Sequence, residues 1–280
     1  MIYALIPVFN RLAMTMEILR CLRAQRVDEA LTIVVVDDGS TDGTGAFLAE
    51  QSDVVTLHGH GSLWWGGGID LGLRHVLAGA INGDWVLFVN NDTELRVDFL
   101  QCMIDSARTF APAAVGSVIR DLDPPHRLLS IGAEVDGWHF RIRDHFEPGQ
   151  VEPASAGPVM TVDALSGRGV LFPVAALRAA GGMRPGRLPH YLADYELSAR
   201  VRRAGWRLVI DQRAAVYSHE AYGSSWRGGS LRERLFSVRS PSYLPALLSF
   251  WWAASDWPQR LSLPLRVLLF AIFPRLRNKA

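Results

Sequence analysis

Lysine is all but missing from this chain: of its 29 basic residues, Lys279 is the one lysine and the other 28 are arginine. That scarcity removes a phosphate loop of the Gly-Lys-Ser/Thr type, a Schiff-base lysine in the body of the fold, and the lysine slot of a protein kinase. High-GC coding bias accounts for the skew as well as any functional cause, and the exclusions hold either way. Cysteine is scarce too. Cys21 and Cys102 lack metal-ligand spacing and make no disulfide framework, which favours a reducing compartment. No window reaches 18 uninterrupted apolar residues, so no spanning helix is expected. The first apolar run begins at residue 2, where a signal peptide would have no room, so the expectation is a cytoplasmic protein. A net charge of +1 gives no nucleic-acid footprint.

What is present is ordinary globular material: 280 residues, 49% hydrophobic and 20% charged, enough for one large α/β domain or two small ones. Residues 2–8 form a short apolar run, 12–26 carry helical spacing, and 31–36 are a β-branched strand. Turn chemistry at residues 37–43 is followed by helix over 44–51, a strand at 54–57, a Gly-rich segment at 59–68, helix over 69–80, and a strand at 85–89. Strands apolar on both faces, alternating with helices, predict a mainly parallel sheet with covered faces. The pattern loosens after residue 120, with loops at 123–125 and 147–158. It returns at 162–172, in a helix over 194–204 and in a strand over 207–211. A compositional shift places a boundary near residue 225.

Ligands of an open parallel sheet bind beyond the carboxyl ends of its strands. Three polar clusters are candidates for that edge: Asp37-Asp38, Asn90-Asn91-Asp92, and Asp194 with Glu196. Taken singly, each also reads as turn or helix-cap chemistry. Their order along the chain is more specific than any one of them.

That ordered series resembles glycosyltransferase family 2 of the GT-A fold. It comprises Ile6-Pro7-Val8-Phe9-Asn10, Val35 to Thr44 through Asp37-Asp38-Gly39-Ser40, Phe88-Val89-Asn90-Asn91-Asp92-Thr93, Ser166-Gly167-Arg168-Gly169, Asp194-Tyr195-Glu196-Leu197, and His219. The resemblance covers roughly residues 1–220, and the variant is similar to bacterial enzymes that add rhamnose or another hexose to surface polysaccharides. It implies a Rossmann-like α/β domain over residues 1–225, and an inverting transfer from a UDP- or dTDP-linked sugar to a glycan or lipid-linked acceptor. Pro7, Phe9, Asn10 and Asp38 would hold base and ribose. Asp92 and His219 would bind a divalent cation, Mg²⁺ or Mn²⁺, bridging the diphosphate. Asp194 would be the base that takes the acceptor proton. Glu196 would support the site or pair with Arg200 at i, i+4.

Two positions depart from the family pattern. Ala193 stands where a Glu usually precedes the base, and Asn90 replaces the first Asp of the cation motif, which bears on metal dependence more than on transfer. The segment Gly61 to Gly68 lacks dinucleotide spacing. The resemblance makes it a wall of the donor pocket, with Trp64 and Trp65 against a base or sugar and Gly67 allowing close approach. Core tryptophans beside a glycine turn are the alternative. Arg168 is assigned to the acceptor side, for a phosphate or a surface ion pair.

Residues 231–280 hold eight basic residues against Glu233 and Asp256, a net +6, leaving about −5 for the rest. Leu244, Leu247, Leu248, Trp251 and Trp252 share one helical face. Two readings of this amphipathic extension over 226–280 stay open. One is an anionic membrane surface, on the inner face of the cytoplasmic membrane; the other is a packed helical extension or homodimer interface. A non-catalytic nucleotide- or glycan-binding relative is the alternative function.

Overall fold

The computed structural model describes residues 1–153, 157–219, 228–263 and 265–266. In the N-terminal half, β1 (Ile2–Val8), α1 (Leu12–Arg23), β2 (Leu31–Asp37), α2 (Thr44–Ala49), β3 (Val54–His58), α3 (Trp64–Gly79) and β4 (Trp85–Phe88) alternate as the periodicity predicts. The short β5 (Glu94–Leu95) and α4 (Phe99–Thr109) lead to the long β6 (Ala113–Asp121). Next come β7 (Leu128–Ser130), β8 (Ala133–Asp136), β9 (Arg141–Asp144), β10 (Val159–Thr161), β11 (Val170–Pro173), α5 (Val174–Ala180), α6 (Ala193–Arg203) and β12 (Arg207–Ser218). The described part of the extension is α7 (Leu231–Phe236), α8 (Leu244–Ala254) and α9 (Trp257–Leu261).

One sheet runs β10-β12-β6-β11-β4-β1-β2-β3, with β5 on β12 and β7 on β6, while β8 and β9 form a separate hairpin. β3, β2, β1 and β4 are parallel neighbours. β11 runs antiparallel between β4 and β6, and β6 is parallel to β12. The carboxyl ends of β1, β2, β4, β6 and β12 therefore share one edge. Alternation along β1 shows how the core divides: Leu5 packs with α3, α5 and α6 on one face, whereas Ile2, Ala4, Ile6 and Val8 pack with α1 and α4 on the other. Both faces are dry, hence the continuous apolar runs.

Two elements differ from the sequence expectation. α3 starts at Trp64, not at residue 69, so the glycine run is helical rather than a loop. Glycine is a poor helix former, and tertiary packing overrides it here. A Cβ on Gly66 would lie 2.4 Å from the Leu188 carbonyl oxygen, so the glycines let α3 press against that loop. β12 continues past Asp211 through a bulge to Ser218. The polar stretch that reads as a stop is instead an internal cluster: Asp211 is fully buried, accepting from Ser106 Oγ at 2.7 Å and from the Arg213 guanidinium.

The extension packs on the domain. α8 lies along α6, and the face it buries is Ala246, Ser249, Phe250, Trp251 and Ala253, with Phe250 and Trp251 packed against Tyr195 and Phe140. Of the expected face Trp251 alone is buried, Leu244, Leu247 and Leu248 are half-buried, and Trp252 is exposed. The predicted boundary near 225, most of the apolar stretch 261–273, and the basic residues Arg275, Arg277 and Lys279 lie outside the described residues. Among the described residues no helix is long and apolar enough to cross a membrane.

Candidate active site

Two cavities open on the carboxyl edge of the sheet. The larger, about 640 Å³, is lined by Pro7, Phe9 and Asn10 after β1, Asp38 after β2, Trp64 and Trp65 of α3, and Asn90-Asn91-Asp92 after β4. The smaller, about 310 Å³, holds Arg168, Tyr191, Asp194 and Tyr195. Trp65, Asn90, Asp92 and His190 belong to both, so the cavities share a wall.

Local hydrogen bonds set the larger cavity. Asn10, in a left-handed conformation, ties the end of β1 to the next turn: its N–H donates to Ser40 Oγ and its Oδ1 accepts from the Thr41 N–H. Asp38 accepts from the N–H groups of Gly61 and Leu63, both at 2.8 Å, and so shapes the loop entering α3. A carboxylate oxygen has more than one acceptor site, so Asp38 retains capacity for a ligand hydroxyl or base. Trp65 Nε1 donates to Asn90 Oδ1 at 2.8 Å, and Asn91 Nδ2 reaches Thr15 Oγ1 on α1 at 3.2 Å. Phe9 is 54% exposed at the rim, an aromatic face open to stacking.

In the smaller cavity the loop before β11 meets the start of α6. The Asp194 carboxylate accepts from the Gly167 N–H at 2.8 Å and the Tyr195 N–H at 2.9 Å. Burial nonetheless pushes this carboxyl above the usual range, against the pull of those donors and the Arg168 charge. Burial and the neighbouring Asp194 charge likewise raise the Tyr195 phenol. A Cβ on Gly167 would stand 2.2 Å from the Trp65 ring, so glycine there lets the shared wall close onto the carboxylate. Below the site, Glu196 is fully buried, with Arg200 bidentate on it and Arg184 at 3.1 Å.

The structure thus gathers Pro7, Phe9, Asn10, Asp38, Trp64, Trp65, Asn90, Asn91, Asp92, Arg168 and Asp194 about the two cavities. Two expected substrate contacts lie elsewhere. Gly67 is buried against the Leu63 side chain while its neighbour Gly68 lines the cavity, a consequence of the early start of α3. Glu196 faces its arginines, holding α6 and hence Asp194 in place. Ala193, the departure before the base, is buried in the core.

The family model for glycosyl transferase family 2 matches residues 3–149. The chain belongs to this family. A second model, glycosyl transferase family 21, matches residues 83–225. A curated relative from Mycobacterium tuberculosis, N-acetylglucosaminyl-diphospho-decaprenol L-rhamnosyltransferase, is 27% identical over 85% of this chain and 83% of its own length. Among solved structures, GalNAc-T7 with UDP, GalNAc and Mn²⁺ superposes at TM-score 0.64 and 13% identity, covering 89% of this chain. The chain spans 46% of that protein's length. S. aureus TarS residues 1–349 with UDP gives 0.58 at 16% identity, over 98% of this chain and 72% of that one. These likenesses establish the GT-A fold.

Of the two cation ligands that the resemblance implies for this glycosyltransferase, Asp92 lines both cavities and His219 lines neither. Asp92 Oδ1 is buried without a hydrogen-bond partner, while Oδ2 pairs with Arg11 at 2.7 Å. An orphaned carboxylate oxygen facing a ligand cavity fits a hard divalent cation. His219 lies 3.6 Å from Asp123 and groups with Asp121 and Asp123 rather than with Asp92. Three basic residues of the cavities escaped the sequence reading. Arg11 adjoins a motif residue, and His190 sits in the loop before α6, where burial holds its imidazole below the usual range. Arg239 registered only as part of a basic tail.

Proposed function

We propose that this glycosyltransferase is an inverting enzyme that transfers a hexose or deoxyhexose from a UDP- or dTDP-linked donor to a lipid-linked glycan acceptor in cell-surface polysaccharide synthesis. The observation that carries the proposal is Asp194: a carboxyl raised by burial, in a cavity that shares a wall with a pocket of donor size. The nucleotide base stacks at Phe9, and Asp38 accepts from base or ribose. The acceptor hydroxyl enters the smaller cavity and gives its proton to Asp194. Its oxygen bonds to the anomeric carbon as the bond to the nucleoside diphosphate breaks on the opposite face, which inverts the configuration. A divalent cation, Mg²⁺ or Mn²⁺, held by Asp92, would neutralise charge on the departing diphosphate. Arg168 lines the smaller cavity beside Asp194 and suits a phosphate of the acceptor.

The relative's diphospho-decaprenol acceptor supports a lipid carrier here, and a lipid carrier supports work at the inner face of the cytoplasmic membrane. The surface suited to that contact is not the α8 face but α9 and the β8–β9 hairpin. Trp138, Trp257, Leu261 and Leu265 are exposed there, with Arg266 stacked on Trp138 and Arg260 on Trp252. From residue 257 to the C-terminus the chain has five basic residues and no acidic one.

The test is a panel of UDP-, dTDP- and GDP-sugars offered with a polyprenyl-diphosphate N-acetylglucosamine acceptor. The expected outcome is transfer from one donor class with inversion read by NMR. A retained anomeric configuration overturns the base assignment; absence of binding, hydrolysis and transfer for every donor overturns the function.

A further inference from the structure

The charges lining the larger cavity are unevenly committed. Arg11 pairs with Asp92, and both oxygens of Asp38 take backbone N–H groups. Arg239, contributed by the turn between α7 and α8, lines the same cavity with its guanidinium over the Trp64 ring at 5.7 Å. Among the described residues it has no acidic partner. Its backbone is fixed all the same. The Arg239 N–H donates to Ser237 Oγ at 3.3 Å and the Ser240 N–H to the Ser237 carbonyl at 3.0 Å. Ser240 is fully buried, and the Tyr243 N–H returns to its carbonyl. A Ser230–Glu233 capping box starts α7, and α8 is seated on α6, the helix that carries Asp194.

We propose that Arg239 binds the diphosphate of the donor, so that the C-terminal extension completes the nucleotide pocket as well as reaching outward. The chemistry is that of a planar, permanently charged fork meeting phosphate oxygens, held over an aromatic face that fixes its plane. The position also offsets a local deficit. Asn90 stands where the family carries a carboxylate, and its Oδ1 is taken by Trp65, so the cation side of the pocket holds one negative ligand fewer. An arginine lining the same cavity supplies positive charge that does not depend on the metal. The inference rests on the larger cavity being the nucleotide-sugar site.

Calorimetric titration of the full-length protein with UDP, dTDP, GDP and the matching nucleosides, in magnesium and in chelator, separates the two. Arg239→Ala is expected to weaken the preferred nucleoside diphosphate about tenfold in both buffers, equivalent to about 1.4 kcal/mol. The nucleoside should bind unchanged, with Arg239→Lys recovering part of the loss. Arg232→Ala removes an equal charge from α7, away from the cavity, and should leave every affinity alone. Unchanged diphosphate affinity in Arg239→Ala, equal weakening of the nucleoside, or an equal effect of Arg232→Ala overturns the proposal. If the wild-type protein binds no nucleoside diphosphate, the assignment of the cavity itself fails.

Discussion

Replacing Asp194 by Asn separates chemistry from folding, because the two respond in opposite directions. The carboxylate accepts two backbone N–H groups, from Gly167 and Tyr195, and an Asn amide oxygen can keep one of them. The lost acceptor costs about 1 kcal/mol. Against it stands relief from holding a charge where burial disfavours one. An acid whose carboxyl is raised on folding contributes stability in its protonated form. That contribution is complete below the unfolded carboxylate range near about 3.9, and is lost as pH rises through the raised folded value. At neutral pH the ionised side chain is therefore a burden, and Asp194→Asn is expected to leave the midpoint of urea unfolding unchanged or raise it. Transfer should fall by about 10²- to 10⁴-fold, the usual worth of a positioned general base, or about 3–5 kcal/mol of barrier. The assay is single-turnover transfer beside a nucleotide titration. The wild-type kcat/KM should climb with pH through a value above the ordinary carboxylate range. Loss of nucleotide affinity in step with rate, or clear destabilisation of Asp194→Asn at pH 7, refutes the assignment.

Three further outcomes follow from the packing. Gly167→Ala drives a methyl into the Trp65 ring, so kcat/KM should drop at least tenfold, and the accompanying Trp65→Phe change should restore part of it; the overpacking costs about 1–3 kcal/mol by denaturant titration. Glu196→Ala leaves Arg200 buried without its counter-charge and should cost about 3–5 kcal/mol in urea unfolding, far more than any change at exposed Glu152. The double change Trp257→Ala, Leu261→Ala should cut flotation with phosphatidylglycerol-containing vesicles about tenfold while leaving transfer to a water-soluble acceptor intact. Equal flotation would remove α9 from the membrane contact.

Much of the sheet was legible because each strand is an apolar run closed by a polar turn. Those turns fall on one edge once the strands are parallel, which groups Asp38 with Asp92, while Asp194 joins them only through the order of the motifs along the chain. The glycine run of α3 was not legible. Its helicity depends on a neighbour more than 100 residues away, the Leu188 carbonyl, and propensity alone argues for a loop. β12 was shortened for a related reason: Asp211 and Arg213 look like a surface turn until Ser106 of α4 supplies a buried partner. Spacing gave Glu196 its Arg200 partner correctly, but Arg184 comes from outside the helix and changes the pair into a buried anchor. Arg239 illustrates the limit of charge counting, since a net +6 tail says nothing about which guanidinium turns back toward the domain.

The wall shared by the two cavities has a kinetic consequence. Trp65, Asn90, Asp92 and His190 each line both cavities, so on the proposed reading each faces the donor and the acceptor. A seated donor sugar then forms part of the surface that the incoming hydroxyl meets, and an early acceptor would stand across the donor's way in. The geometry favours a compulsory order, donor on first and nucleoside diphosphate off last, in which a dead-end acceptor mimic appears uncompetitive toward the donor.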